Sequence, residues 1–133
     1  MQYEWTFTVP ANTPESDPLE KVLQMDSGVV VGMEIYNPPG SHRYCRCRIL
    51  EGLSVLWPGN PTGYIATDGT PVPWSEHYVL KSPDYRLWLR AWNISLSRDH
   101  DVVVRINVLP AAAAAPFQVI ADLVDMVKKL LGV

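Results

Sequence analysis

A chain of 133 residues is long enough for one domain with a hydrophobic core and short for two. With 47% hydrophobic and 19% charged residues it has the composition of a folded globular protein, not of a disordered one. A formal charge of −3 argues against general nucleic-acid binding, which draws on a clear basic excess.

The chain opens on QYEWTFTV, where Tyr3, Trp5, Phe7 and Val9 alternate with Glu4, Thr6 and Thr8. This period of two marks a half-buried strand. No basic segment precedes an apolar run there, so no secretory signal is read and synthesis in a cytoplasm is expected. PANTPESDP, with prolines at 10, 14 and 18, is an ordered loop or crossing.

LEKVLQM and VVVGMEIY read as two strands joined by the compact turn Asp26-Ser27-Gly28. In NPPG, Pro39-Gly40 suits the centre of a type II turn. RYCRCRIL places Cys45, Cys47 and Ile49 inward and Arg46 and Arg48 outward. Two same-strand cysteines two residues apart have Cα atoms roughly 6.5 Å apart, a spacing that favours two buried thiols over a disulfide. LSVLW is a further short strand. In PGNPTGYIATDGTPVPW, Asp68-Gly69 predicts a small hairpin between GYIAT and TPVPW. EHYVLK and YRLWLRAW follow, the latter with Tyr85, Leu87, Leu89 and Ala91 inward. The last strand is VVVRINVL, with Val102, Val104, Ile106 and Val108 inward.

About eight strands separated mostly by short turns, with no helix between them, predict an antiparallel, jelly-roll-like β-sandwich. Charge is uneven along it. Residues 1–40 hold Glu4, Glu15, Asp17, Glu20, Asp26 and Glu34 against Lys21 alone, whereas arginines gather from Arg43 onward. Such polarity either orients neighbouring copies or dissolves into a mixed solvated surface.

The tail, LPAAAAAPFQVIADLVDMVKKLLGV, differs in kind. Pro116 fits a first helical turn. Phe117, Ile120, Leu123, Val124, Val127, Leu130 and Leu131 then recur at three- and four-residue steps as one apolar stripe. Asp125 and Lys129 form an i,i+4 pair in the favourable direction, and Gly132 can end the helix. A helix of about 15 residues is marginal alone in water, so its stripe needs a partner surface. The expected organisation is a β-sandwich at 1–109, a Pro/Ala linker at 110–115 and an amphipathic C-terminal helix at 116–133. Most strands already commit their apolar faces inward, so helix-to-neighbour packing is expected over self-packing. The stripe lacks the strong basic face that favours anionic membranes, and no segment has the ~18 uncharged apolar residues of a span.

No reaction is signalled. There is no G-x-S-x-G elbow, no glycine-rich phosphate loop opening a helix, and no zinc spacing in the H-x-x-C-x-C formed by His42, Cys45 and Cys47. No cofactor and no metal are expected. Asn93-Ile94-Ser95 matches a glycosylation acceptor and reads as a coincidence in a polar loop. Five tryptophans are many for this length, and parity places Trp88 and Trp92 on one outward face with Arg86 and Arg90. Three readings of that face stand: cover by a loop or the helix, a protein interface, or a stacking surface for sugars or bases.

The run TVPANTPESDPLEKVLQMDSGVVVGMEIYNPPGSHRYCRCRILEG, followed by LWPGNPTGYI and YRLWLRAWN…VVVRINVLP, resembles small β-sandwich proteins encoded in the structural gene modules of tailed bacteriophages. The likeness covers about residues 3–110 and contains no catalytic signature. It implies a non-enzymatic virion component, such as a capsid decoration protein or another head or neck accessory. Such a protein is made in the host cytoplasm, associates with itself and binds other virion proteins. Members of this group often end soon after the last strand, so the linker and helix are where this chain departs from them. The alternative expectation is a carbohydrate- or receptor-binding module using Arg86, Trp88, Arg90 and Trp92, or an aromatic hairpin around Tyr64 and Trp74.

Overall fold

The alternation seen in the sequence becomes eight strands: β1 Gln2–Val9, β2 Leu19–Gln24, β3 Gly28–Tyr36, β4 Cys45–Glu51, β5 Ser54–Trp57, β6 Val72–Val79, β7 Arg86–Asn93 and β8 His100–Pro110. The structure, a computed structural model, describes residues 1–60, 62–110 and 123–132; within the last segment a helix, α1, covers 123–131. The strands form two antiparallel sheets, a first of order β1-β8-β3-β6 and a second of order β2-β7-β4-β5. The pairs β1·β8, β2·β7, β3·β6 and β4·β5 are those of one long hairpin bent at Gly52-Leu53. Rolling that hairpin adds the contacts β3·β8 and β4·β7, which give the jelly roll its two faces.

Inward residues line up in rows. Tyr3, Ile106, Met33 and Trp74 cross the first sheet, while Leu89, Ile49 and Trp57 cross the second. Val9, Leu23, Val30, Ile35, Ile49, Leu89, Val102, Val104 and Ile106 are fully buried between them. Each such side chain contributes about 1.5–3 kcal/mol relative to exposure. Cys45 and Cys47 are buried in this core and unbridged, as their parity required.

The connections cross between sheets. Residues 10–18 carry the chain from the first sheet to the second, held where Thr13 pairs with Asn93. Asn93 is buried, its amide donating to the Val9 and Arg98 carbonyls at 3.2 and 2.9 Å, so the Asn-Ile-Ser acceptor nitrogen is engaged inside the fold. Residues 25–27 return the chain to the first sheet.

The expected hairpin around Asp68-Gly69 does not form. Ile65 pairs instead with Cys47 of the second sheet, and Val72 with Ile35 of the first, so the two arms part. The turn residues serve another loop: Gly69, at φ +76°, donates its N–H to the Asn37 carbonyl, and Asp68 accepts from the Gly40 N–H at 2.8 Å. β6 thereby runs longer than EHYVLK and includes Trp74.

The charge asymmetry along the chain is cancelled across the strands. Arg48 meets Glu15 at 2.8 Å, Arg90 meets Glu20 at 3.1 Å, and Arg105 meets Glu34 at 2.8 Å and Glu4 at 3.5 Å. Gly132, at φ +74°, donates to the Lys129 carbonyl and ends α1 as expected. Residues 111–122, with the Ala tract, Phe117 and Ile120, lie outside the described residues.

Candidate functional site

Two surfaces were expected to carry contacts: the outer face of the second sheet and the helix stripe. On the sheet, β2, β7, β4 and β5 align Val22, Trp88, Leu50 and Val55 in one outward row. Glu20, Arg90 and Arg48 form the next row, and Trp92 with Arg46 the one beyond. Parity is therefore as read, but the face divides in two.

The half around Trp92 is closed. Residues 62–65 fold back over it, with Tyr64 edge-on to the Trp92 ring at 6.0 Å. Arg48 lies over the same ring at 4.7 Å, and Arg46 over Tyr64 at 4.4 Å. Arg48 also donates to the Gly63 and Thr62 carbonyls and to Glu15. Trp92 is left 2% exposed and is not available to a ligand, which corrects its place in the expected binding face. The cause is a proline-rich loop whose resting place is set by long-range contacts. Tyr64 thus belongs to the second sheet's outer cover, whereas Trp74 faces the opposite way, into the interior against Trp57 at 6.3 Å. No aromatic hairpin unites them.

The half around Trp88 is open. Arg86 stands 5.8 Å above its ring, and Arg90 is held to the side by Glu20. Trp88 forms the ridge between two hollows. One, of about 280 Å³, is shared with Glu20, Leu50, Gly52, Leu53 and Arg90. The other, of about 360 Å³, is shared with Glu51, Lys81, Asp84 and Arg86. Leu53, at the β4–β5 turn, is 93% exposed beside this ridge.

In α1 every described side chain is exposed. Leu123, Val124 and Val127 are about half exposed, and Leu130 and Leu131 reach 83% and 72%. Among the described residues no helix is long and apolar enough to cross a membrane.

The chemistry of the remaining candidates is muted. His42 is largely exposed at a loop while Cys45 and Cys47 are interior, so H-x-x-C-x-C is not assembled as a ligand set. Among the described residues no group of three or more His, Cys, Asp or Glu converges on a common point. Burial pushes the Cys45 thiol up to about 12, with Asp101 adding to the shift, and raises Cys47 further. Both stay protonated and unreactive at neutral pH. No protein-family model matches the chain, and no curated protein shows significant similarity to it.

Proposed function

We propose that this chain is a non-enzymatic structural subunit that makes protein–protein contacts in an assembly, as a capsid decoration protein or other accessory of a tailed-phage virion. The observation that carries the reading is α1, whose described apolar side chains stand in solvent, in a chain whose β-domain already has a filled core. An amphipathic stretch of this kind is at best marginal as a helix alone in water, and burying each leucine of its described part contributes about 1.5–3 kcal/mol. Its partners are other copies of the chain and other virion proteins; synthesis is in the host cytoplasm.

Two further points support this reading. The likeness of residues 3–110 to phage structural-module proteins supplies the setting. The jelly roll agrees with it without deciding it, since capsid and lectin domains share that architecture. Lys21 holds an inward position on the edge strand β2 yet remains exposed, which discourages strand addition there and leaves contact to the helix and the open face.

The test is co-sedimentation with purified phage heads. Full-length protein should travel with the particles, and protein ending at residue 110 should not. Equal binding by both would remove the helix from the contact, and binding by neither would remove the virion role.

A second reading, a carbohydrate- or receptor-binding module, is favoured by one observation: half-buried Trp88 between two hollows, with a guanidinium over its ring. Glycan binding abolished by Trp88→Ala, with folding intact, would select it.

A further inference from the structure

One end of the sandwich holds a hollow of about 280 Å³ between the β3–β4 loop and the β7–β8 loop, sharing no residue with the hollows beside Trp88. Gly40 lines it together with His42, Tyr44, Ser95, Ser97, Arg98 and His100, six residues with polar side chains. Every one can donate a hydrogen bond, and three are basic. No carboxylate lines it. Three other hollows among the described residues each contain at least one: Glu34, Glu20, or Glu51 with Asp84. In a chain of net charge −3, such one-signed lining is a specific arrangement.

Two neighbouring acids are turned away toward the β1 side, and a third stands at the rim. Asp99 accepts from the Ala11 N–H at 2.8 Å and Asp101 from the Thr8 hydroxyl at 2.6 Å, both toward β1. Asp68 gives one oxygen to the Gly40 N–H and stands 4.0 Å from His42 Nδ1, at the rim. Arg48, Arg86, Arg90 and Arg105 are ion-paired, whereas Arg98, like Arg43 and Arg46, has no carboxylate partner among the described residues.

The walls are fixed by the fold. Ser95 is buried, its N–H held by the Asn93 side chain and its hydroxyl oxygen accepting from the Arg98 N–H at 3.3 Å. His42 and Arg43, at φ +50° and +61°, make the tight turn that brings the β3–β4 loop beside this wall. Backbone strain of this kind persists only where the surroundings hold it.

We propose that this hollow binds a tetrahedral oxyanion, the phosphate or sulfate group of a monoester. Such a group offers several acceptor oxygens and no obligatory donor, which suits a lining in which every side chain can donate and none is a carboxylate. Arg98 supplies the charge, His42 and His100 add donors from the two sides, and Ser97 and Tyr44 contribute hydroxyls. The space admits the anion with part of a sugar or other small alcohol attached. The inference is independent of the assembly reading, because it uses neither α1 nor Trp88.

The test is titration of the full-length protein with sodium phosphate and, separately, sodium sulfate, following the imidazole C–H resonances of His42 and His100, at ionic strength held with sodium chloride. Saturable shifts of both histidines are expected, with His77 unmoved. Arg98→Gln should weaken binding about tenfold, the loss of one charge-assisted contact. Ser97→Ala should weaken it a few-fold. Tighter binding of phosphate assigns the site to phosphate esters, and tighter binding of sulfate to sulfated ligands. Shifts that fail to saturate with either anion, that chloride reproduces equally, or that survive Arg98→Gln unchanged would overturn the proposal.

Discussion

Arg48 lies across Trp92, its guanidinium carbon 4.7 Å from the ring centroid, while one terminal nitrogen holds Glu15 at 2.8 Å. This single side chain joins three segments: the strand that carries it, residues 62–65 that close over the tryptophan, and the loop that leads into β2. It is why the aromatic–basic face predicted from parity is half sealed.

Removing Arg48 should therefore cost far more than removing its partner. Arg48→Ala leaves two loop carbonyls without their donor and uncovers an indole, at about 2–3 kcal/mol. Glu15 is more than half exposed, and Glu15→Ala should cost no more than about 1 kcal/mol. Urea unfolding measures both. Iodide quenching of tryptophan should rise in Arg48→Ala. Equal, small effects would mean that residues 62–65 do not depend on this contact.

The buried thiols set an alkaline limit. An unfolded Cys45 loses its proton near 9.0, whereas the native thiol holds it to about 12, chiefly because burial penalises the thiolate. The native state thus binds more protons than the unfolded chain above about pH 9. Stability is full below that pH and falls as pH rises toward 12, by up to about 1.4 kcal/mol per pH unit for each thiol. Urea melts at pH 7.5 and 10 should show wild type losing more than Cys45→Ala/Cys47→Ala. Identical losses would place the thiols outside the core. Thiol reagents should label both cysteines promptly in denaturant and slowly without it.

Gly28 opens β3 where the chain re-enters the first sheet. A Cβ there would sit 2.5 Å from the Leu109 carbonyl oxygen and 2.6 Å from Val108 Cγ1. Gly28→Ala should cost about 1–3 kcal/mol, because backbone cannot yield as a side-chain tip can. Gly59→Ala, facing open space, should change stability by less than about 0.5 kcal/mol. A neutral Gly28→Ala would show that the crossing at 25–28 relaxes freely.

Gly28 also illustrates what a linear reading reaches. Asp26-Ser27-Gly28 was legible as a turn, but the demand for glycine comes from Leu109, a residue far along the chain. The strands themselves were legible because each half-buried face writes a period of two, as in Tyr3, Trp5 and Phe7 or Leu87, Leu89 and Ala91. Asp68-Gly69 misled because a turn signal is local, whereas Ile65 and Val72 each found a longer ladder in a different sheet. For Trp92 parity gives the correct side and leaves its exposure open, since it says which way a residue points and nothing about what covers it. The donor-lined hollow escaped for the same reason. His42, Arg98 and His100 carry no motif, and the folding of two loops brings them together.

If the exposed stripe of α1 makes contacts between subunits, as proposed, light scattering of the purified 133-residue protein and of Leu123→Asp/Val127→Asp will show it. The wild type should have the mass of a defined oligomer, and the double variant that of a single chain with the near-ultraviolet dichroism of the β-domain unchanged. A monomeric wild type that joins no larger particle, or an oligomer whose mass survives both substitutions, would contradict it.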